Sequence, residues 1–115
     1  MHNEDITRLR HMIEAAEEAV GFAEHKNRED LDRDRMLTLA LIKAIEIVGE
    51  AASKISPELR ERHPQVPWPA ILGMRNKLVH AYFVIDLDVV WHTTINELRP
   101  LVESLTRILE SESSR

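Results

Sequence analysis

The chain has 115 residues, 43% of them hydrophobic and 30% charged, with a formal net charge of −5 and no cysteine. One domain of this size buries about two-thirds of its unfolded surface and needs no cross-links, and the missing cysteines exclude a disulfide framework, a thiolate nucleophile and a zinc ribbon, leaving a cytoplasmic, reducing compartment as the expectation. The acidic balance argues mildly against a general nucleic-acid binder, no apolar run is long enough to cross a bilayer, and the first residues, Met1 to Asp5, lack the basic and apolar regions of a signal peptide.

The first predicted helix runs from about Asn3 to Lys26, with Ile6, Leu9, Ile13, Ala16, Val20 and Ala23 at alternating steps of three and four. Phe22 falls about 100° from the end of that stripe and is expected to widen the buried face. Asn27 to Asp30 is polar and reads as a loop. From about Asp30 to Ile55 a second helix is apolar nearly all round, as expected of a buried central element. Its polar residues, Lys43, Glu46, Glu50 and Lys54, recur at three and four and form one narrow charged stripe.

Ser56-Pro57 reads as an N-cap followed by proline in the first turn, opening a short helix. Three prolines in the next few residues, Pro64, Pro67 and Pro69, make an extended connector. A further helix is predicted from about Pro69 to Ala81. Asp86 or Asp88 then caps a long last helix whose apolar stripe, Leu87 to Leu109, continues through Pro100 and so predicts a kink rather than an end. Residues 111–115 read as a frayed polar tail. The glycines Gly21, Gly49 and Gly73 all fall inside helical patterns, where each costs about 1 kcal/mol relative to alanine, and this predicts close approach of other helices. The expected fold is all-α: a single domain over 1–115, an up-down helical bundle of four main helices plus one short helix.

Chemistry concentrates in one place. From Arg75 to Tyr82 eight consecutive residues carry a guanidinium (Arg75), a carboxamide (Asn76), an ammonium (Lys77), an imidazole (His80) and a phenol (Tyr82). Between Lys54 and Tyr82 cations exceed anions, and from Asp86 onward the balance reverses, which concentrates positive potential around this stretch. RNA brings its own nucleophile, the 2′-hydroxyl, so its cleavage needs a proton acceptor, a proton donor and positive charge for the phosphorane, and no metal. His80 suits the proton transfers and Arg75, permanently charged and forked, suits the phosphate. Asn76 can orient the histidine, and Lys77 is a candidate phosphate contact. On a continuous helix Arg75 and His80 would stand about 140° apart, so two copies facing across a two-fold axis would enclose a cleft better than one copy does.

The pattern of Arg75, four residues, His80, one residue and Tyr82 resembles the R-x4-H-x-Y signature of the HEPN superfamily, in the branch of HepT-like ribonuclease toxins that pair with a minimal nucleotidyltransferase antitoxin. Val48-Gly49-Glu50-Ala51-Ala52 is similar to the family's second-helix run. Trp68 and Ile71 match positions leading to the arginine, and Asp88-Val89-Val90-Trp91 matches the segment after the tyrosine, so the likeness spans nearly the whole chain. It implies a HEPN-like bundle, a homodimer, and a metal-independent endoribonuclease with Arg75 and His80 catalytic, Asn76 supporting and RNA as substrate. It also implies a type VII-like toxin–antitoxin pair in which the antitoxin adenylylates Tyr82. No cofactor, metal or membrane partner is expected.

Bland alternatives stand beside each of these. His80 is equally a helix-end imidazole set against the dipole, Arg75 a surface ion pair with the acidic last helix, Lys77 a solvated lysine, and Tyr82 a ring packed at the bundle end. Glu50 is either a solvent edge or a wall of the site. None of the six histidines sits in an H-E-x-x-H or follows a glutamate at three residues, so zincin and di-iron chemistry are unsupported. A different class of function, a non-catalytic helical module that binds a nucleotidyltransferase partner, remains open.

Overall fold

The computed structural model describes residues 3–80 and 84–114. Its helices are α1 (Asn3–Phe22), α2 (Asp30–Arg33), α3 (Arg35–Ser53), α4 (Pro57–Arg62), α5 (Trp68–Leu72), α6 (Met74–Leu78), α7 (Leu87–His92) and α8 (Arg99–Ser113), with a π-helical segment, Thr93–Leu98, joining the last two. Two short strands, β1 (Val79–His80) and β2 (Val84–Ile85), pair antiparallel between α6 and α7. The fold is all-α apart from that ladder, and the molecule is an elongated bundle, 46 × 30 × 20 Å. Among the described residues no helix is long and apolar enough to cross a membrane.

The core is the space between α1, α3 and the last helix. Leu9 and Met12 of α1, Leu41, Ile45 and Val48 of α3, and Leu98, Leu105 and Ile108 from the C-terminal helix are all essentially inaccessible. Burying a side chain of this size contributes about 1.5–3 kcal/mol, which is why these three elements, rather than the short ones, hold the shape. The first helix presents a face turned slightly from the expected one. Met12, Ala15 and Ala19 are buried while Ile6, Ile13 and Val20 are only half-buried. Small alanines let α3 and α8 pack closely there. Phe22 is 44% exposed, so it does not widen the buried face.

The expected second helix is two helices. Asp34 is extended and caps α3 by accepting from the backbone N–H of Leu37 at 3.0 Å, and Thr38 reaches back across the break to the carbonyl of Leu31. A carboxylate that satisfies an orphan N–H competes with helix continuation, so α2 ends and α3 begins afresh. Nor is α3 buried all round, since Met36, Leu39 and Ile47 are exposed. Of the three glycines only Gly49 marks a close approach: a Cβ there would lie 3.4 Å from the carbonyl oxygen of Ile71 on α5, whereas Gly21 faces open space and Gly73 meets only the carbonyls of its own segment.

Ser56 caps α4 as expected, and its hydroxyl also donates to the buried Asp5 carboxylate at 2.6 Å, tying the start of α1 to α4. Asp86 caps α7. Proline at position 100 has no N–H for the preceding turn; a wider π segment stands just before it, and the helix continues past it to Ser113 rather than ending there. The expected tail is largely helical. Helix α8 runs to Ser113, and Glu112 is buried at the bundle end, its carboxylate held by Arg62 at 2.7 Å and by His63 Nε2 at 2.6 Å.

Candidate active site

The predicted site helix is interrupted and short. Pro69 lies in the first turn of α5, whose C-cap is Gly73; α6 then ends at Leu78, and the chain turns extended at Val79. The backbone N–H of Asp86 donates to the carbonyl of Leu78 at 2.7 Å, so the returning strand takes the carbonyl that another helical turn would have used. His80 therefore stands on β1, paired in register with Val84, and is not a helical residue. The 140° separation expected on one continuous helix does not apply. Tyr82 lies outside the described residues.

Arg75, Asn76 and Lys77 are all exposed on α6. Arg75 donates through Nε to Glu46 on α3 at 2.9 Å, and it is this carboxylate, not one on the acidic last helix, that pairs with it. Its terminal nitrogens have no hydrogen-bond partner among the described residues. With side-chain exposures of 70% and 33%, the ion pair orients more than it stabilises.

Two grooves meet at α6. One, between α3 and α6, is lined by Glu46, Gly49, Glu50, Ser53, Leu72, Arg75 and Asn76, so Glu50 is both solvent-exposed and a wall of the site. The other, between α6 and α7, is lined by Asn76, Lys77, Asp88, Val89, His92, Thr93 and Glu97, and Asn76 is the ridge between them. His92 on the far wall accepts at Nδ1 from the Asn96 side-chain N–H at 3.0 Å. Nothing in the residue pattern singles out His92, because a histidine after Trp91 in an apolar stripe carries no motif. Trp68, by contrast, is a core anchor: it is buried, with Nε1 donating to the carbonyl of His63.

A family model described as Ribonuclease HepT-like matches residues 12–108, which takes in both grooves and the hairpin. The chain belongs to this HepT-like ribonuclease family. Among its HepT-like relatives is a protein of Caldanaerobacter subterraneus subsp. tengcongensis named "Putative RNase", 36% identical over 104 residues that cover 90% of this chain and 93% of the relative. A "Probable ribonuclease HepT" of Thermococcus cleftensis is 37% identical over 93 residues, covering 77% of this chain and 84% of its own. A "Putative RNase" of Methanocaldococcus jannaschii is 36% identical over 80 residues, 70% of this chain and 73% of the relative. No solved structure matches the chain.

Proposed function

We propose that this protein is a metal-independent endoribonuclease, the toxin of a type VII-like toxin–antitoxin pair, in which Arg75 and His80 carry the chemistry. The observation behind the reading is an exposed guanidinium at the rim of a groove, pinned at Nε and with no partner at its fork among the described residues, in a HepT-like chain whose next turn leads into the strand bearing His80. The 2′-oxygen of RNA attacks the adjacent phosphorus, forming one P–O bond while the bond to the 5′-oxygen breaks. The products are a 2′,3′-cyclic phosphate and a 5′-hydroxyl. His80 is the group that moves the proton from one oxygen to the other, Arg75 binds the phosphate and the charge that grows on it, Asn76 supports the pair, and Lys77 holds a neighbouring phosphate. The enzyme acts as a homodimer, and an exposed Leu72 beside Gly73 on the groove rim supports a partner surface there.

The test is cleavage of RNA by the purified protein in excess chelator. Wild type cuts; His80→Ala and Arg75→Lys do not, the latter because an ammonium keeps the charge but loses two-point contact. Mixing inactive Arg75→Ala with inactive His80→Ala chains under proven subunit exchange restores part of the activity if each site draws on both protomers. A folded wild type that leaves RNA intact would instead make the chain a helical module that only binds its partner.

The second element of the proposal is regulation at Tyr82 by a minimal nucleotidyltransferase antitoxin. The phenol oxygen attacks the α-phosphorus of ATP, pyrophosphate leaves, and the tethered adenylate brings an anion and a nucleoside to the segment two residues beyond His80, where it competes with RNA for the guanidinium. Co-expression with the neighbouring nucleotidyltransferase should raise the intact mass of wild type by whole adenylate units and leave Tyr82→Phe unchanged. Silencing without any mass change would remove Tyr82 from the regulatory site.

A further inference from the structure

The motif stretch accounts for only part of the positive charge near Arg75. Beside the α3/α6 groove, the groove between α1 and α3 is lined by Arg8 and His11 from the first helix, by Lys43 of the third and by Lys54 at its C-cap, over a floor of Ile47 and Ala51. Arg8 and His11 are three residues apart, and Lys43, Glu46, Glu50 and Lys54 recur at three and four, so each set falls on one face of its helix and the two faces are opposed. Lys43 and Lys54 mark the ends of a track about 16 Å long at 1.5 Å per residue.

The carboxylates in this groove are already engaged. Glu46 accepts from Arg75 at 2.9 Å and Glu50 lies 3.7 Å from Lys54, while Arg8 and Lys43 have no carboxylate partner among the described residues. Counting Arg75, four permanent cations face two carboxylates in a chain whose net charge is −5. Glu46 and Glu50 also line the α3/α6 groove, so the two grooves meet over α3 and lead directly to Arg75.

From this we infer that the α1/α3 groove is a second RNA-contact site, in which Arg8 and Lys43 hold phosphates of the single-stranded substrate away from the bond that is cut. The inference rests on the reading of RNA as substrate and adds where the strand lies. Cations spaced along a track, two of them (Arg8 and Lys43) without a carboxylate partner among the described residues, favour a repeated anion over a single bound ion, and the apolar floor offers ribose and base a surface to rest on. The site is distinct from the R-x4-H-x-Y stretch and is built from the first and third helices.

Binding rather than cleavage tests it. In a His80→Ala background, which keeps the probe intact, the affinity for a fluorescein-labelled 20-nucleotide oligouridylate is measured by anisotropy across a range of KCl concentrations. Each phosphate contact to a single strand contributes about 0.7 to the slope of log affinity against log salt, so adding Arg8→Ala and Lys43→Ala together should flatten the slope by about 1.4. Arg8→Lys with Lys43→Arg should retain it. Should the double variant lose its helical circular dichroism, Arg8→Gln alone is expected to remove about 0.7. An unchanged slope, or no RNA binding at all, overturns the inference. A change in sedimenting mass with the slope intact does so as well, by giving this face to a second copy of the chain. RNA bound with the full slope by a wild-type protein that cuts nothing would defeat the ribonuclease reading and leave this site standing.

Discussion

Arg75 meets Glu46 through Nε alone, and that single contact separates two jobs that a guanidinium usually combines. The carboxylate fixes the plane of the group, while the fork stays available for a phosphate. Glu46 also places a negative charge near an anionic substrate, so its removal acts in opposite directions on binding and on chemistry. Glu46→Ala is expected to lower kcat about tenfold, because an untethered guanidinium samples unproductive rotamers, while KM for RNA stays level or falls as the local potential rises. Steady-state kinetics on one oligonucleotide separate the two effects. A rise in KM with kcat unchanged would mean that Glu46 serves binding rather than orientation. Asn76, which borders both grooves, and Glu50, on the wall opposite Arg75, belong to the same small set of side chains around the guanidinium.

Among the elements, the contact between α4 and the end of α8 is built on a buried charge. The Arg62 guanidinium, with His63 assisting, holds the Glu112 carboxyl well below the usual carboxylate range, at about 2, even though burial alone would push it up. A carboxyl depressed in the folded state contributes stability that is fully present above its ordinary value near 4.5 and is lost as pH falls toward 2. At about 1.4 kcal/mol per unit this amounts to at most about 3.5 kcal/mol. Urea unfolding of wild type should therefore show stability declining between pH 4.5 and 2 more steeply than in Glu112→Gln, which should be weaker at pH 7 by about 1–3 kcal/mol. Parallel pH profiles for the two proteins would show that the carboxylate is not what locks α8 to α4. The sequence displayed local signals well: Ser56 and Asp86 are caps because a short oxygen before an apolar period has one obvious partner, the N–H three residues on. It concealed what depends on distant partners. Glu112 in a Ser-rich end looks like tail until Arg62 and His63 arrive from fifty residues away. The end of α6 at Leu78 is likewise imposed by the returning strand, whose Asp86 N–H claims the Leu78 carbonyl, and no helix-breaking residue between Leu78 and Ala81 announces it.

At the scale of the whole molecule, a thin bundle 46 Å long and 20 Å deep places its grooves along α3 and α6 on one side of the core. Net charge concealed this, because an average over the chain says nothing about which cations the fold gathers. The run from Lys54 to Tyr82 was legible as locally positive from order alone, but Arg8 and Lys43 join it only once α1 packs on α3. The fold class, by contrast, could be read from periodicity, since the three long stripes specify three long helices whatever happens at their ends. The resemblance marked Gly49 and Glu50 together, and their neighbourhood now has separate causes: Glu50 lines the groove, while a Cβ at Gly49 would lie 3.4 Å from the Ile71 carbonyl oxygen. At Gly49 the backbone of α3 passes the Ile71 carbonyl of α5 with room for about one methyl group, so any side chain larger than alanine there would have to push α3 and α5 apart and reshape the cleft that Glu50 and Arg75 line.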